Sequence, residues 1–120
     1  MTYNRAIGVD LKEGDEILKL LSENIKYRKK LTHIFHRILE QPNIYYDDYK
    51  RIYHDLNNSI AEIRLFPNGD NCRVYCKEVM LGGAGLCVIM VVLLEKKKSQ
   101  KINKFIHQII DRIKNYEYEL

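Results

Sequence analysis

Apolar and polar residues alternate from Tyr3 to Leu11, with Tyr3, Arg5, Ile7, Val9 and Leu11 on one side and Asn4, Ala6, Gly8 and Asp10 on the other. That period of two predicts a first strand. "KEGDE" interrupts it, and Asp15 is placed to cap a helix with its own side chain. From Ile17 the apolar positions recur as Leu21, Ile25, Leu31, Ile34, Phe35 and Ile38, the spacing of one helical face. The helix is expected to end near Gln41, because Pro42 disfavours helical geometry in the residue before it. Its other face holds Lys26, Arg28, Lys29, Lys30 and Arg37, a set whose ordinary role is solvation.

In "IYYDDYKRIYHDLNN", Tyr45, Tyr49, Ile52, Tyr53 and Leu56 fall at helical intervals and predict a short second helix. Three strands are expected next, Ile60–Phe66, Cys72–Val79 and Leu86–Leu94, separated by the turn signals "PNGDN" and "GGAG". Links this short suit antiparallel neighbours, so the strands should form a meander. Leu86–Leu94 is apolar on both faces, as a strand covered on two sides would be. Ile102, Phe105, Ile106, Ile109, Ile110, Ile113 and Tyr116 then mark a final amphipathic helix. The predicted order is β-α-α-β-β-β-α, an α+β fold with an antiparallel meander and a C-terminal helix, one domain across residues 1–120.

Hydrophobic patterning also fixes a register. Core candidates Ala61, Ile63 and Leu65 share a face with Cys72, Val74 and Cys76 only if Leu65 lies opposite Cys72 and Ile63 opposite Val74. Arg64 then faces Arg73, and Glu62 faces Tyr75, on the other side of the sheet. Like charges directly opposed are unfavourable, so either the arginines are solvated and the cost is small, or Glu62 relieves the repulsion from one diagonal away, or an anion sits between them.

Leu86–Leu94 pairs with Cys72–Val79, so its far end should emerge beside Arg73, where the chain continues as "EKKKSQK". Lys96, Lys97, Lys98, Lys101 and Lys104 follow without an acid among them. A helix beginning near Ser99 would add free backbone N–H groups. A multi-phosphate ligand such as RNA fits that concentration of charge. The net charge of +4 says little without this distribution.

Other signals narrow the classes. The longest apolar run is well short of the roughly 18–20 residues of a membrane span, and the N-terminus lacks a signal-peptide core, so a cytoplasmic location is expected. Cys72, Cys76 and Cys87 lack metal or redox spacing and read as reduced core thiols. His33 and His36 sit three apart on a helix, with no third ligand at sensible spacing, so neither metal nor cofactor is expected. Gly82–Gly85 joins two strands and reads as a turn, not a phosphate loop.

The segments "SIAEIRLFPNGDNCRVYCKEV" and "VIMVVLLEKKKSQKINKFIHQIIDRIKNY" resemble the RelE/HigB superfamily of toxins from type II toxin–antitoxin pairs. The shared pattern is a strand ending in Glu-x-Arg, a turn, a strand bearing x-Arg-x-Tyr, an apolar strand, then Lys-Lys-x-Ser/Gln and a terminal helix. The lysine pair with its following glutamine is most similar to the HigB-like branch. The resemblance spans roughly Tyr53 to Tyr116 and implies a RelE-like domain acting as a ribosome-dependent, metal-independent mRNA endoribonuclease that inhibits translation. It implies catalytic roles for Arg73, Lys96 and Lys97. For RNA binding it implies Arg64, Tyr75, Lys98, Lys101 and Lys104. The partners implied are a cognate antitoxin, the ribosome and its mRNA, with operator DNA reached only through the antitoxin complex.

The chemistry needs charge stabilisation at the phosphorane and a proton donor and acceptor. Some members carry a tyrosine early in the terminal helix, where this chain reads "KINKFIH"; His107, Tyr116 and Tyr118 stand as alternatives. Two further readings remain open: a non-enzymatic ParE-like toxin acting on a protein such as DNA gyrase, and a degenerate nucleic-acid-binding member of the fold.

Overall fold

A computed structural model describes residues 3–56, 58–94 and 104–120, the side chain of Phe105 excepted. The elements are β1 (Arg5–Val9), α1 (Asp15–Glu23), α2 (Ile25–Glu40), β2 (Tyr49–His54), β3 (Ser59–Leu65), β4 (Cys72–Met80), β5 (Leu86–Leu94) and α3 (Lys104–Ile113). The five strands form one mixed sheet in the order β1-β5-β4-β3-β2. β2 to β5 are an antiparallel meander, and β1 joins the far edge parallel to β5. The α+β class and the meander are as the sequence led us to expect.

Two elements differ from expectation. The single helix predicted from Asp15 to Gln41 is broken at Asn24, which is extended at φ −119° and ψ 103°. Its N–H closes α1 on the Leu20 carbonyl, and its side chain accepts from the Tyr27 N–H at 3.2 Å to start α2. Capping at both ends of one residue turns one long amphipathic pattern into two helices.

The second correction is larger. The segment read as a short helix after Ile44 contains β2. The pairing slips between Arg51 and Tyr53, and a bulge of this kind resets the alternation of faces. Tyr49 therefore enters one core while Ile52 and Tyr53 pack on the other. The bulge counterfeits helical spacing in a strand. The order is β-α-α-β-β-β-β-α.

The sheet is sandwiched. Ile17, Leu31, Ile34 and Ile38 of the first two helices cover Ala61, Ile63, Leu65, Val74, Cys76, Val88 and Met90. On the opposite face α3 lays Ile106, Ile109, Ile110 and Ile113 over Ile60, Tyr75, Cys87, Ile89 and Val91. β5 supplies apolar side chains to both layers, as expected for a strand covered twice. Cys72, Cys76 and Cys87 are buried, and no disulfide joins them. Burial pushes the Cys76 and Cys87 thiols up.

Both long-range helix ends are closed by cations from the sheet. Arg5 donates to the carbonyls of Ile38 at 3.0 Å, Pro42 at 3.2 Å and also Gln41, at the end of α2. Lys77 does the same for α3, donating to the Lys114 carbonyl at 3.0 Å and to that of Tyr116. A positive charge there meets otherwise unpaired carbonyls and the negative end of the helix dipole. Among the described residues no helix is long and apolar enough to cross a membrane.

Buried tyrosines give the fold a defined alkaline limit. Tyr49 and Tyr75 are both fully enclosed. Burial raises the Tyr49 hydroxyl well above its ordinary value, with Cys76 and Glu78 adding to it. Burial, then the charge of Glu62, raise Tyr75. A group raised in the folded state contributes stability that is complete below its unfolded value of about 10 and is lost as pH rises beyond it. Lys77 opposes this weakly, because burial lowers it and its folded form gives up its proton early. The unfolding free energy from urea titrations should therefore fall steeply above about pH 10, by up to about 1.4 kcal/mol per pH unit for each tyrosine still protonated. A flat profile to pH 11 would contradict the enclosed hydroxyls.

Candidate functional site

The β3–β4 hairpin has the register that the apolar pattern requires: Leu65 opposite Cys72, Ile63 opposite Val74, Arg64 opposite Arg73 and Glu62 opposite Tyr75. The turn that holds it runs through Phe66 and Asn71, both at positive φ (52° and 51°), with the Phe66 carbonyl accepting from Gly69 and Asn71. β5 ends at Leu94 directly opposite Arg73.

Glu62 resolves the conflict between those arginines. Its Oε1 lies 3.0 Å from Arg64 Nε and 3.6 Å from Arg73 Nε. One carboxylate thus serves two guanidiniums, and the side chain of Glu62 is only 3% exposed. The arginines differ sharply in access: Arg64 keeps 29% of its side chain exposed, Arg73 none. Burial lowers the Arg73 guanidinium, Glu62 opposes that, and Arg64 reinforces it. On the same face of the sheet, Tyr75 lies in the layer that α3 covers. Lys50 of β2 pairs with Glu62 across the next strand and is exposed.

Of the other residues singled out in the sequence, Tyr75 is wholly buried beneath α3. Lys104 is exposed at the start of α3. Lys96, Lys97, Lys98 and Lys101 lie outside the described residues. His107 is exposed on α3. The Tyr118 hydroxyl is committed to Asp10, donating to Oδ2 at 2.6 Å. Tyr116 is half-buried and raised by burial and a hydrogen bond to Glu13. His33 and His36 are exposed, His36 lying 3.3 Å from Glu40. Among the described residues no three His, Cys, Asp or Glu side chains converge in a way that would hold a metal.

The basic face of α2 is partly neutralised from outside the helix. Lys26 meets Asp70 at 2.9 Å and Lys30 meets Asp48 at 2.8 Å. Arg37 stacks over the Tyr46 ring at 4.0 Å.

Comparison with protein-family models, with curated proteins and with solved structures returns no match to this chain.

At the opposite end of the sheet lies a second polar centre that the sequence reading missed. Glu78 is buried, and its carboxylate accepts from Tyr49 Oη at 2.6 Å, Ser59 Oγ at 2.6 Å, Tyr45 Oη at 2.9 and 3.0 Å, and Arg51 Nε at 3.0 Å. Burial works to lower the Arg51 guanidinium, but the Glu78 charge outweighs it and holds it raised. The signal was present in "CKEV": two adjacent charges inside a largely apolar strand can only be buried with partners. A groove of about 840 Å³ runs past this centre, bordered by Arg51, His54, Lys77, Glu78, Met80 and Tyr116 among others. The donors around Glu78 are mutually satisfied, so the centre ties β2, β3 and β4 together and offers no free base. The volume is there, whereas the charge pattern pointing to an anion is at the other end.

Proposed function

We propose that the chain is a toxin of the RelE/HigB superfamily, a RelE-like domain that engages RNA at the Arg64 end of the sheet and acts as a ribosome-dependent mRNA endoribonuclease. The observation that carries this reading is the register that sets Arg64 beside Arg73, with β5 ending opposite Arg73 just before the lysine run. The element order also supports it, allowing for the extra strand β2. Arg64, partly exposed, is the arginine of the pair that a phosphate can meet, and Arg73 holds Glu62 in place behind it. Lys96 and Lys97 supply the charge stabilisation that in-line attack by a ribose hydroxyl demands. A cognate antitoxin with an acidic segment would cover this rim by charge complementarity.

A second reading has its own support. Arg73 is fully enclosed and lies 3.6 Å from Glu62, which suits a structural ion pair in a non-enzymatic, ParE-like toxin acting on a protein.

Induced expression in a bacterial host separates them. The nuclease reading expects growth arrest with discrete in-frame mRNA cuts by primer extension. Cutting should fall by about a hundredfold in Arg64→Ala and in Lys96→Ala/Lys97→Ala, with both variants folded. Arrest that survives those changes without mRNA cuts would move the assignment to a protein target.

A further inference from the structure

The two edges of the sheet are built differently. β2 carries a bulge and the cations Lys50 and Arg51, devices that discourage another strand from docking. β1 has neither: "AIGV" follows Arg5 without charge, proline or a break in register. None of its five residues is buried.

Backbone parity identifies what this edge offers. Leu86 N–H donates to the Asn4 carbonyl at 2.9 Å, and Asp10 N–H donates to the Met90 carbonyl at 2.9 Å. The even-numbered residues therefore bond to β5, and Arg5, Ile7 and Val9 turn their N–H and C=O groups away from it. Arg5 N–H turns back to the Tyr3 carbonyl at 3.0 Å, and among the described residues no backbone bond outside the ladder reaches Ile7 or Val9.

We infer that β1 pairs antiparallel with β1 of a second copy of this chain, on a two-fold axis at Ile7. The edge is self-complementary in that register. The two Ile7 residues exchange both of their backbone bonds, and each Val9 N–H meets the partner's Arg5 carbonyl. Cross-strand neighbours become Ile7 with Ile7, Ala6 with Gly8 and Arg5 with Val9, so no like charges are opposed. Leu11, 95% exposed in the single chain, follows at the level of the partner's Tyr3, so the contact also removes an exposed leucine from water. An interface of this kind is isologous and closes on itself, and it leaves the Arg64 end of the sheet untouched.

The full chain itself is the probe. Sedimentation should show a mass rising from monomer to dimer with concentration. Over the same range, amide exchange at Ile7 and Val9 should slow by about tenfold or more. The Gly8 and Asp10 amides, already bonded to β5, should not respond. Ile7→Pro removes an outward N–H without breaking a ladder bond and should yield a folded monomer, whereas Ile7→Val should still dimerise. If Ile7→Pro fails to fold, the exchange pattern of the unaltered chain decides. A monomer at every concentration overturns the pairing and leaves the edge to a strand of another protein. So does a dimer whose Ile7 and Val9 amides exchange as fast as the monomer's.

Discussion

Glu78→Ala should cost the fold about 3–5 kcal/mol, because it strands Arg51 and three hydroxyls around a site that has lost the carboxylate they share. The side chain of Glu78 is 1% exposed, and Arg51 beside it is 35% exposed, so part of the guanidinium penalty is relieved by water. The hydroxyls of Tyr49 and Ser59 have no such route, since both residues are buried. Set against a total stability of about 5–15 kcal/mol for a domain, this is enough to lower Tm by about 10–20 °C. Glu78→Gln keeps an acceptor oxygen and loses the charge, and should fall between, at about 1–3 kcal/mol. Equilibrium denaturation in urea on the three proteins checks the order. Equal stability of the alanine variant and the parent would show that the network contributes nothing net.

Glu62→Ala should be comparably damaging, by about 3–5 kcal/mol, for a different reason. It removes the Glu62 carboxylate that lies 3.6 Å from the enclosed Arg73 and leaves Arg64 directly opposite on the neighbouring strand. Replacing both members of the enclosed pair, Glu62→Leu with Arg73→Met, should recover most of that loss, since apolar groups of similar volume need no counter-charge. The double variant also bears on function. If Arg73 serves only to hold the hairpin, growth arrest by the double variant will match the parent. If the enclosed guanidinium is uncovered for a phosphate during the reaction, arrest and mRNA cutting will be lost although the protein is as stable as before.

The arginine pair was legible in the sequence because its cause is local. A six-residue connection between two alternating strands permits only one register that buries both apolar sets, and that register sets Arg64 against Arg73 whatever else the chain does. The same reasoning gave β5 its two apolar faces and placed its end beside Arg73. The break at Asn24 was there to be read as well, since asparagine is a strong N-cap, but a continuous apolar stripe on both sides concealed it.

What only the tertiary structure decided depends on segments distant in sequence. Whether Tyr75 meets water is set by α3, whose isoleucines cover it from some thirty residues further along the chain, and nothing within "CRVYC" encodes it. Tyr49–His54 became a strand because β3 offers it an edge, and its bulge put apolar residues at spacings that a helix would also produce. Glu78 acquired its role only when β2, β3 and the Tyr45 segment converged on it. The sequence by itself determined which residues face each other within the hairpin, because alternation and turn length act over a few residues. Which of those faces is dry, and which charge is left accessible to a partner, is a property of packing between layers.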